Sequence, residues 1–135
     1  MISQPKYAST LFIFNDNEGE FLEHLKSGRH TCTAGGGNAV IRPFQCQPLP
    51  RAVGVPTGTY EAGPHRMGYS ALDTHAREMV DLSMGQIADL LESGRFDSMA
   101  FSWDPITKLG GRIFDTAQEV RDYIVDRLVE LAAAN

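Results

Sequence analysis

The sequence predicts an α/β fold: a single domain over residues 1–135, with a mainly parallel sheet and helices on both faces in three layers. Three observations carry that expectation. Strand-like runs alternate with helix-patterned stretches along the chain, the order that implies parallel pairing. The first run ends in the continuous apolar stretch Leu11-Phe12-Ile13-Phe14, the pattern of a strand buried on both faces. Finally, 135 residues, 42% of them apolar, make one domain able to bury a core without staples.

The elements follow in order. Residues 7–14 form the first strand, β-branched and aromatic, stopped by Asn15-Asp16-Asn17, residue types that favour turns and helix caps. Residues 18–26 carry a short helix with Phe21, Leu22 and Leu25 on one side and Gly28 as its stop. Ala34-Gly35-Gly36-Gly37-Asn38-Ala39-Val40-Ile41-Arg42-Pro43 then runs a glycine triplet into an apolar segment that reads as a short helix. Asn38 can cap it and Pro43 limits its length. After a proline- and glutamine-rich loop over 45–50, residues 51–56 give a second strand ended by Pro56. Residues 57–68 make a longer connection.

Ser70-Ala71-Leu72-Asp73 has the capping-box form. The helix it opens carries Ala76, Val80, Met84, Ile87 and Leu91 at helical spacing and ends at Gly94. Residues 96–103 read as a third strand and residues 104–112 as a second glycine-bearing loop. Thr116-Ala117-Gln118-Glu119 is another capping box, opening a final helix with Val120, Tyr123, Ile124, Leu128 and Leu131 on one face.

Composition excludes several classes. The net charge is −5 and the acids are spread along the chain, so bulk electrostatics does not point to nucleic acid. No apolar run approaches membrane-spanning length, and the first residues are not a secretory signal. A cytoplasmic protein with free thiols at Cys32 and Cys46 is the expectation. His30, Cys32 and Cys46 lack the paired spacing of a metal site, so neither a metal nor a cofactor is expected.

The glycine triplet is where the chemistry concentrates. Glycine lets a backbone approach a ligand closely, and a helix start just downstream adds free N–H donors and the positive end of a dipole. Gly35, Gly36, Gly37 and Asn38 therefore form a candidate anion cradle, with a structural loop as the bland alternative. In parallel sheets ligands bind beyond the carboxyl ends of the strands. Here those ends carry Asn15-Asp16-Asn17, Pro56-Thr57-Gly58 and Ser102-Trp103-Asp104, with both glycine loops emerging at the same rim.

The order of these pieces resembles the macro domain superfamily, and looks closest to its compact phage and bacterial macro-like members. The matching residues are Phe12-Ile13-Phe14-Asn15-Asp16-Asn17, Gly35-Gly36-Gly37-Asn38-Ala39-Val40-Ile41, Arg51-Ala52-Val53-Gly54-Val55-Pro56-Thr57, Ser98-Met99-Ala100-Phe101-Ser102 and Leu109-Gly110-Gly111-Arg112-Ile113-Phe114. The resemblance implies binding of a nucleotide diphosphate such as ADP-ribose, with hydrolysis of an ADP-ribosyl linkage in some members and binding alone in others. By the same resemblance, Asn15 and Asn17 face the distal ribose. Gly35, Gly36 and Gly37 line one side of the diphosphate; Gly110, Gly111 and Ile113 line the other, and Phe114 packs on a ribose. The last loop lacks the family's Ser or Thr before glycine, a place where Arg112 can serve as phosphate partner.

Each candidate has a second reading. Asp16 is a general base acting on water, beside Asn15, or the cap of the helix near Glu18. Asn15 and Asn17 bind ribose hydroxyls or build the turn, and Asn38 binds the ligand or caps the short helix. Arg42 and Arg51 grip phosphate or are solvated surface charges. His65, without a partner visible in sequence, reads as an exposed bystander more than a proton shuttle. Trp103 stacks on a base or anchors the core edge. Thr57 joins the ligand set by its position at a strand end. The rival classes are a non-enzymatic module that sequesters or senses a nucleotide, and a homo-oligomeric scaffold whose glycines merely allow close packing.

Overall fold

The computed structural model describes residues 1–27, 33–35, 37–110 and 114–135, with the backbone alone for Ser27, Gly37 and Asn38. Its centre is a parallel sheet of three strands, β1 (Thr10–Asp16), β2 (Ala52–Pro56) and β3 (Ser98–Ala100), in the order β2-β1-β3. Three helices, α1 (Glu18–Ser27), α2 (Thr74–Glu92) and α3 (Gln118–Ala134), and 3-10 turns at Pro5–Tyr7 and Gly37–Cys46 complete the frame. The expected alternation of strands and helices and the parallel sheet are present.

The two sides of β1 carry two separate apolar clusters, because side chains alternate along a strand. Leu11 and Ile13, with Val53 and Val55, pack against Ala76, Val80, Met84 and Ile87 of α2 and Val120, Ile124 and Leu128 of α3. Phe12 and Phe14, with Ala52, pack against Ala39, Ile41 and Phe44 of the 3-10 segment. Burial of each such leucine or isoleucine contributes about 2 kcal/mol of transfer free energy. The 3-10 segment and α2 therefore pack on opposite sides of β1. Since β1 sits between its two partners, its carboxyl end falls where the strand order reverses, the usual position of a ligand crevice in such sheets.

Several boundaries differ from expectation, each for a local reason. β1 runs on through Asn15 and Asp16, which pair with Val55 and Pro56; these two are strand residues, and the turn begins later. The third strand is short: the chain leaves the sheet after Ala100, and Trp103–Asp104 (β4) pairs antiparallel with Lys108–Leu109 (β5). Asp104 Oδ1 turns that hairpin by accepting the N–H groups of Ile106 and Thr107. Neither capping box forms. Asp73 caps α2, its Oδ1 accepting Ala76 N–H at 2.9 Å. Thr116 Oγ1 instead donates to the Thr57 carbonyl at 2.8 Å, and α3 starts without a side-chain cap. Leu22 and Leu25 lie exposed, so α1 is anchored by Phe21. Cys46 is disulfide-bonded, which corrects the expected free thiol. Cys32, the chain's other cysteine, lies outside the described residues, as do Gly28 and His30.

Candidate functional site

The carboxyl end of β1 is built from consecutive residues that reach opposite sides of the sheet. Asn15 Nδ2 donates to the Gly110 carbonyl at 2.8 Å. Asp16 Oδ1 accepts from Arg42 Nη2 at 2.6 Å, and Arg42 Nη1 donates to the Thr33 carbonyl at 3.1 Å. A Cβ added to Gly35 would lie 2.9 Å from Arg42 Nη1, so that glycine lets the guanidinium pass. Both glycine-bearing loops are thereby tied to one strand end.

Burial sets the chemistry of this pair. Asp16 and Arg42 have side-chain exposures of 1% and 8%. Desolvation pushes the Asp16 carboxyl above its ordinary value, against the lowering effect of Arg42 and of the Asn17 N–H. Asp16 Oδ2 and Arg42 Nε have no hydrogen-bond partner. Asp16 faces neither water nor a cleft. Its contacts are those of an ion pair that joins β1 to the 3-10 segment, and the cap of α1 belongs to Asn17, whose Oδ1 accepts Glu20 N–H at 2.9 Å. Arg42 is accordingly an interior charge and not a solvated one. Arg51 Nη2 donates to the Tyr7 carbonyl.

The other predicted residues divide. Thr57 is buried beside Asp16, its N–H donating to the Asp16 carbonyl at 3.1 Å. Phe114 is buried with its ring edge against Tyr60 and Gly58. The N–H of Gly35 donates to the Ala39 carbonyl and that of Gly110 to the Ser102 carbonyl, so both donors are already used within the protein. Trp103 projects outward with 59% exposure, and is not a core anchor. Gly37 opens the 3-10 segment with Asn38 next to it. Gly36, Gly111, Arg112 and Ile113, like the Asn38 side chain, lie outside what is described.

Arg121 of α3 holds the second loop. Its guanidinium, itself buried, donates to the carbonyls of Leu109, Phe114 and Thr116. On the other side of the sheet, an open and mainly apolar cleft of about 380 Å³ lies between the strands and the 3-10 segment, bordered by Ile2, Phe12, Val40, Ile41, Phe101 and Ser102. That size is ordinary for a small-molecule site.

A further group at the same end of the sheet was not legible as a unit. His65 is buried, with Nε2 2.7 Å from Asp73 Oδ2 and Nδ1 accepting Ser70 N–H; it is not an exposed bystander. His75 Nε2 lies 2.5 Å from Glu18 Oε1, and Tyr69 Oη donates to the same oxygen at 2.8 Å. The two imidazoles stack at 5.6 Å. Burial, reinforced by Glu18, pushes the Tyr69 phenol far above its ordinary value, so it remains a donor. The N–H of Ala76 and then His65 hold the Asp73 carboxyl below its ordinary value. The sequence signal was the close spacing of Tyr69, Asp73 and His75; the partner Glu18 comes from 51 residues before Tyr69. Among the described residues, no group of three or more His, Cys, Asp or Glu is arranged to hold a metal ion. No helix among them is long and apolar enough to cross a membrane.

Comparison with known proteins yields no matching family model, no matching curated protein and no matching solved structure.

Proposed function

We propose that this protein binds a nucleotide diphosphate of the ADP-ribose type at the carboxyl rim of its parallel sheet, in a three-layer, macro-like arrangement. One observation carries the reading: Asn15 and Asp16, consecutive at the end of the central strand, tether the two glycine-bearing loops, one through Gly110 and the other through Arg42 and Gly35. The carboxyl rim at a strand-order reversal is where open α/β sheets take nucleotides. The apolar cleft bordered by Phe12, Ile41 and Phe101 offers a face for a base or ribose. Gly36, Gly37, Gly111, Arg112 and Ile113 are the assigned contacts for the phosphates, since the N–H groups of Gly35 and Gly110 are spent internally.

If an ADP-ribosyl linkage is hydrolysed there, the burial of Asp16 favours a base other than Asp16. The same burial favours the second reading, a non-enzymatic module that sequesters or senses the nucleotide. Titration calorimetry with ADP-ribose, AMP and NAD tests the proposal. Saturable heat with ADP-ribose supports it; no heat with any of the three overturns it. Product analysis on an ADP-ribosylated peptide then separates enzyme from sensor.

A further inference from the structure

We infer that the cavity at the amino end of β2, bordered by α1 and α2, binds a small nitrogen heterocycle that presents an amino group beside a ring acceptor, held by His24, Gln86 and Asp89. The site stands apart from the carboxyl rim and does not depend on the reading proposed for that rim. Ala52 and Val53 open β2, an outer strand of the sheet. Ala52 pairs with Phe12, whereas the rim residues Asn15 and Asp16 pair with Val55 and Pro56. Gln86, Asp89 and Leu90 belong to the last turns of α2, and His24 to the second half of α1. Together with Val53 they border one open cavity of about 250 Å³. Sites for drug-sized molecules span roughly 300–1,000 Å³, so the occupant here is smaller, the size of a single ring system.

Unspent hydrogen-bonding groups define its chemistry. Among the described residues, none hydrogen-bonds to the side chain of His24, Gln86 or Asp89. His24 Nδ1 is covered and has no partner. Burial holds the His24 imidazole below its ordinary value, so at neutral pH the ring is uncharged and carries one N–H. A covered N–H without an acceptor is the costlier orphan, so the proton belongs on Nε2, the donor that His24 offers to the cavity. Asp89 is exposed and its carboxylate only accepts. Gln86 is half-buried three residues before Asp89, on the same face of α2, and its amide both donates and accepts. Gln45 also borders the cavity, but it is buried and already engaged.

The ligand must complement this set. It needs a donor for Asp89, an acceptor for His24 Nε2–H and an apolar body against Val53 and Leu90. Asp89 is the one charged group among the described residues that border the cavity, so an anion is repelled. An alkyl amine satisfies Asp89 but leaves the His24 donor unpaired. A ring carrying an amino group next to a ring nitrogen or carbonyl places donor and acceptor on one edge and is flat and apolar on its faces, as nucleobases are.

The test titrates the isotopically labelled whole chain with cytosine, with 2-aminopyrimidine, and with 2-methylpyrimidine, in which a methyl replaces the amino group. Both amino compounds are expected to shift the nuclear magnetic resonances of His24, Asp89 and the Gln86 side-chain amide saturably. A Kd of about 1 mM or tighter is expected for ligands of this size. The methyl compound is expected to bind at least about tenfold more weakly. Asp89→Ala removes the acceptor and His24→Phe removes the donor while keeping a ring, and each is expected to raise the Kd for cytosine at least about tenfold. The inference is overturned by the absence of saturable shifts with either amino compound, by shifts that fall at Asn15 and Gly110 in place of His24 and Asp89, or by equal binding of 2-methylpyrimidine. Unchanged cytosine affinity in both variants overturns it as well.

Discussion

Asp16 Oδ1 and Arg42 Nη2 meet at 2.6 Å in an interior that water does not reach, 26 residues apart in the chain. The pair is the hinge between β1 and the 3-10 segment that follows the glycine triplet. Removing one partner leaves the other charged and buried, whereas removing both leaves only a packing change. Asp16→Leu and Arg42→Met are each expected to cost about 3–5 kcal/mol, and the double variant much less than their sum. Urea unfolding of the four proteins measures this cycle; additive losses would contradict a coupled pair.

The same carboxyl predicts a pH effect of definite sign. Its folded-state value is raised above 3.8 by desolvation, so the folded protein holds the proton more tightly than the unfolded chain. The Asp16 contribution is therefore present in full below the unfolded value and is lost as pH rises through the folded one. Asp73 behaves oppositely, because the Ala76 N–H and His65 lower it: its contribution is present above 3.8 and lost as pH falls through its lowered value. Asp73→Asn keeps a good cap and is expected to remove that acid-side slope, while Asp73→Ala loses about 1 kcal/mol at neutral pH. Thermal melts of both variants between pH 3 and pH 7, on the order of one melt per half unit, check the sign.

Gly54 should not tolerate a side chain. A Cβ there would come within 2.8 Å of Asp16 Oδ2 and 3.0 Å of the Phe14 ring, both held in the interior. Gly54→Ala is expected to cost about 2–4 kcal/mol and, on the proposed function, to weaken ADP-ribose binding, since it displaces the residue that carries Arg42. Gly85, where the added carbon meets nothing, is the control: Gly85→Ala is expected to be neutral or stabilising by up to about 1 kcal/mol, because it also lies within α2. Equal effects at the two positions in chemical denaturation would refute the steric account.

Arg121→Met is expected to release the loop that ends at Phe114. Three carbonyls lose a charged donor, and the loss should be about 2–4 kcal/mol. Arg121→Lys supplies a charge without the planar fork and should recover only part of it. Amide hydrogen exchange at Leu109, Gly110 and Phe114 reads the effect locally. Unchanged protection in Arg121→Met would show that the loop is held by other contacts.

How much of this was legible depends on the range of the interaction. Ala76, Val80, Met84, Ile87 and Leu91 declared the buried face of α2 by spacing alone, and the same holds for Val120, Ile124 and Leu128 in α3. The caps differ from expectation because the cap of α2 is Asp73 itself and not Ser70, and because the Thr116 hydroxyl is taken by the Thr57 carbonyl, 59 residues away. His65 looked solitary because Asp73 approaches it only once the connection folds back on Thr57 and Thr59. Arg42 looked like a surface charge because its partner lies on another element.

The sequence by itself determined the alternation of elements, the parallel central sheet, the apolar faces of the long helices and the concentration of asparagine and glycine at strand ends. These depend on periodicity and on backbone preference, which act over a few residues. Only the tertiary structure decided that Asp16 is an interior ion-pair partner, that Asn15 holds Gly110, and that Glu18 brings Tyr69 and His75 onto one oxygen. Those outcomes turn on desolvation and on donors meeting acceptors from distant parts of the chain, and neither quantity exists until the sheet has brought its strand ends together.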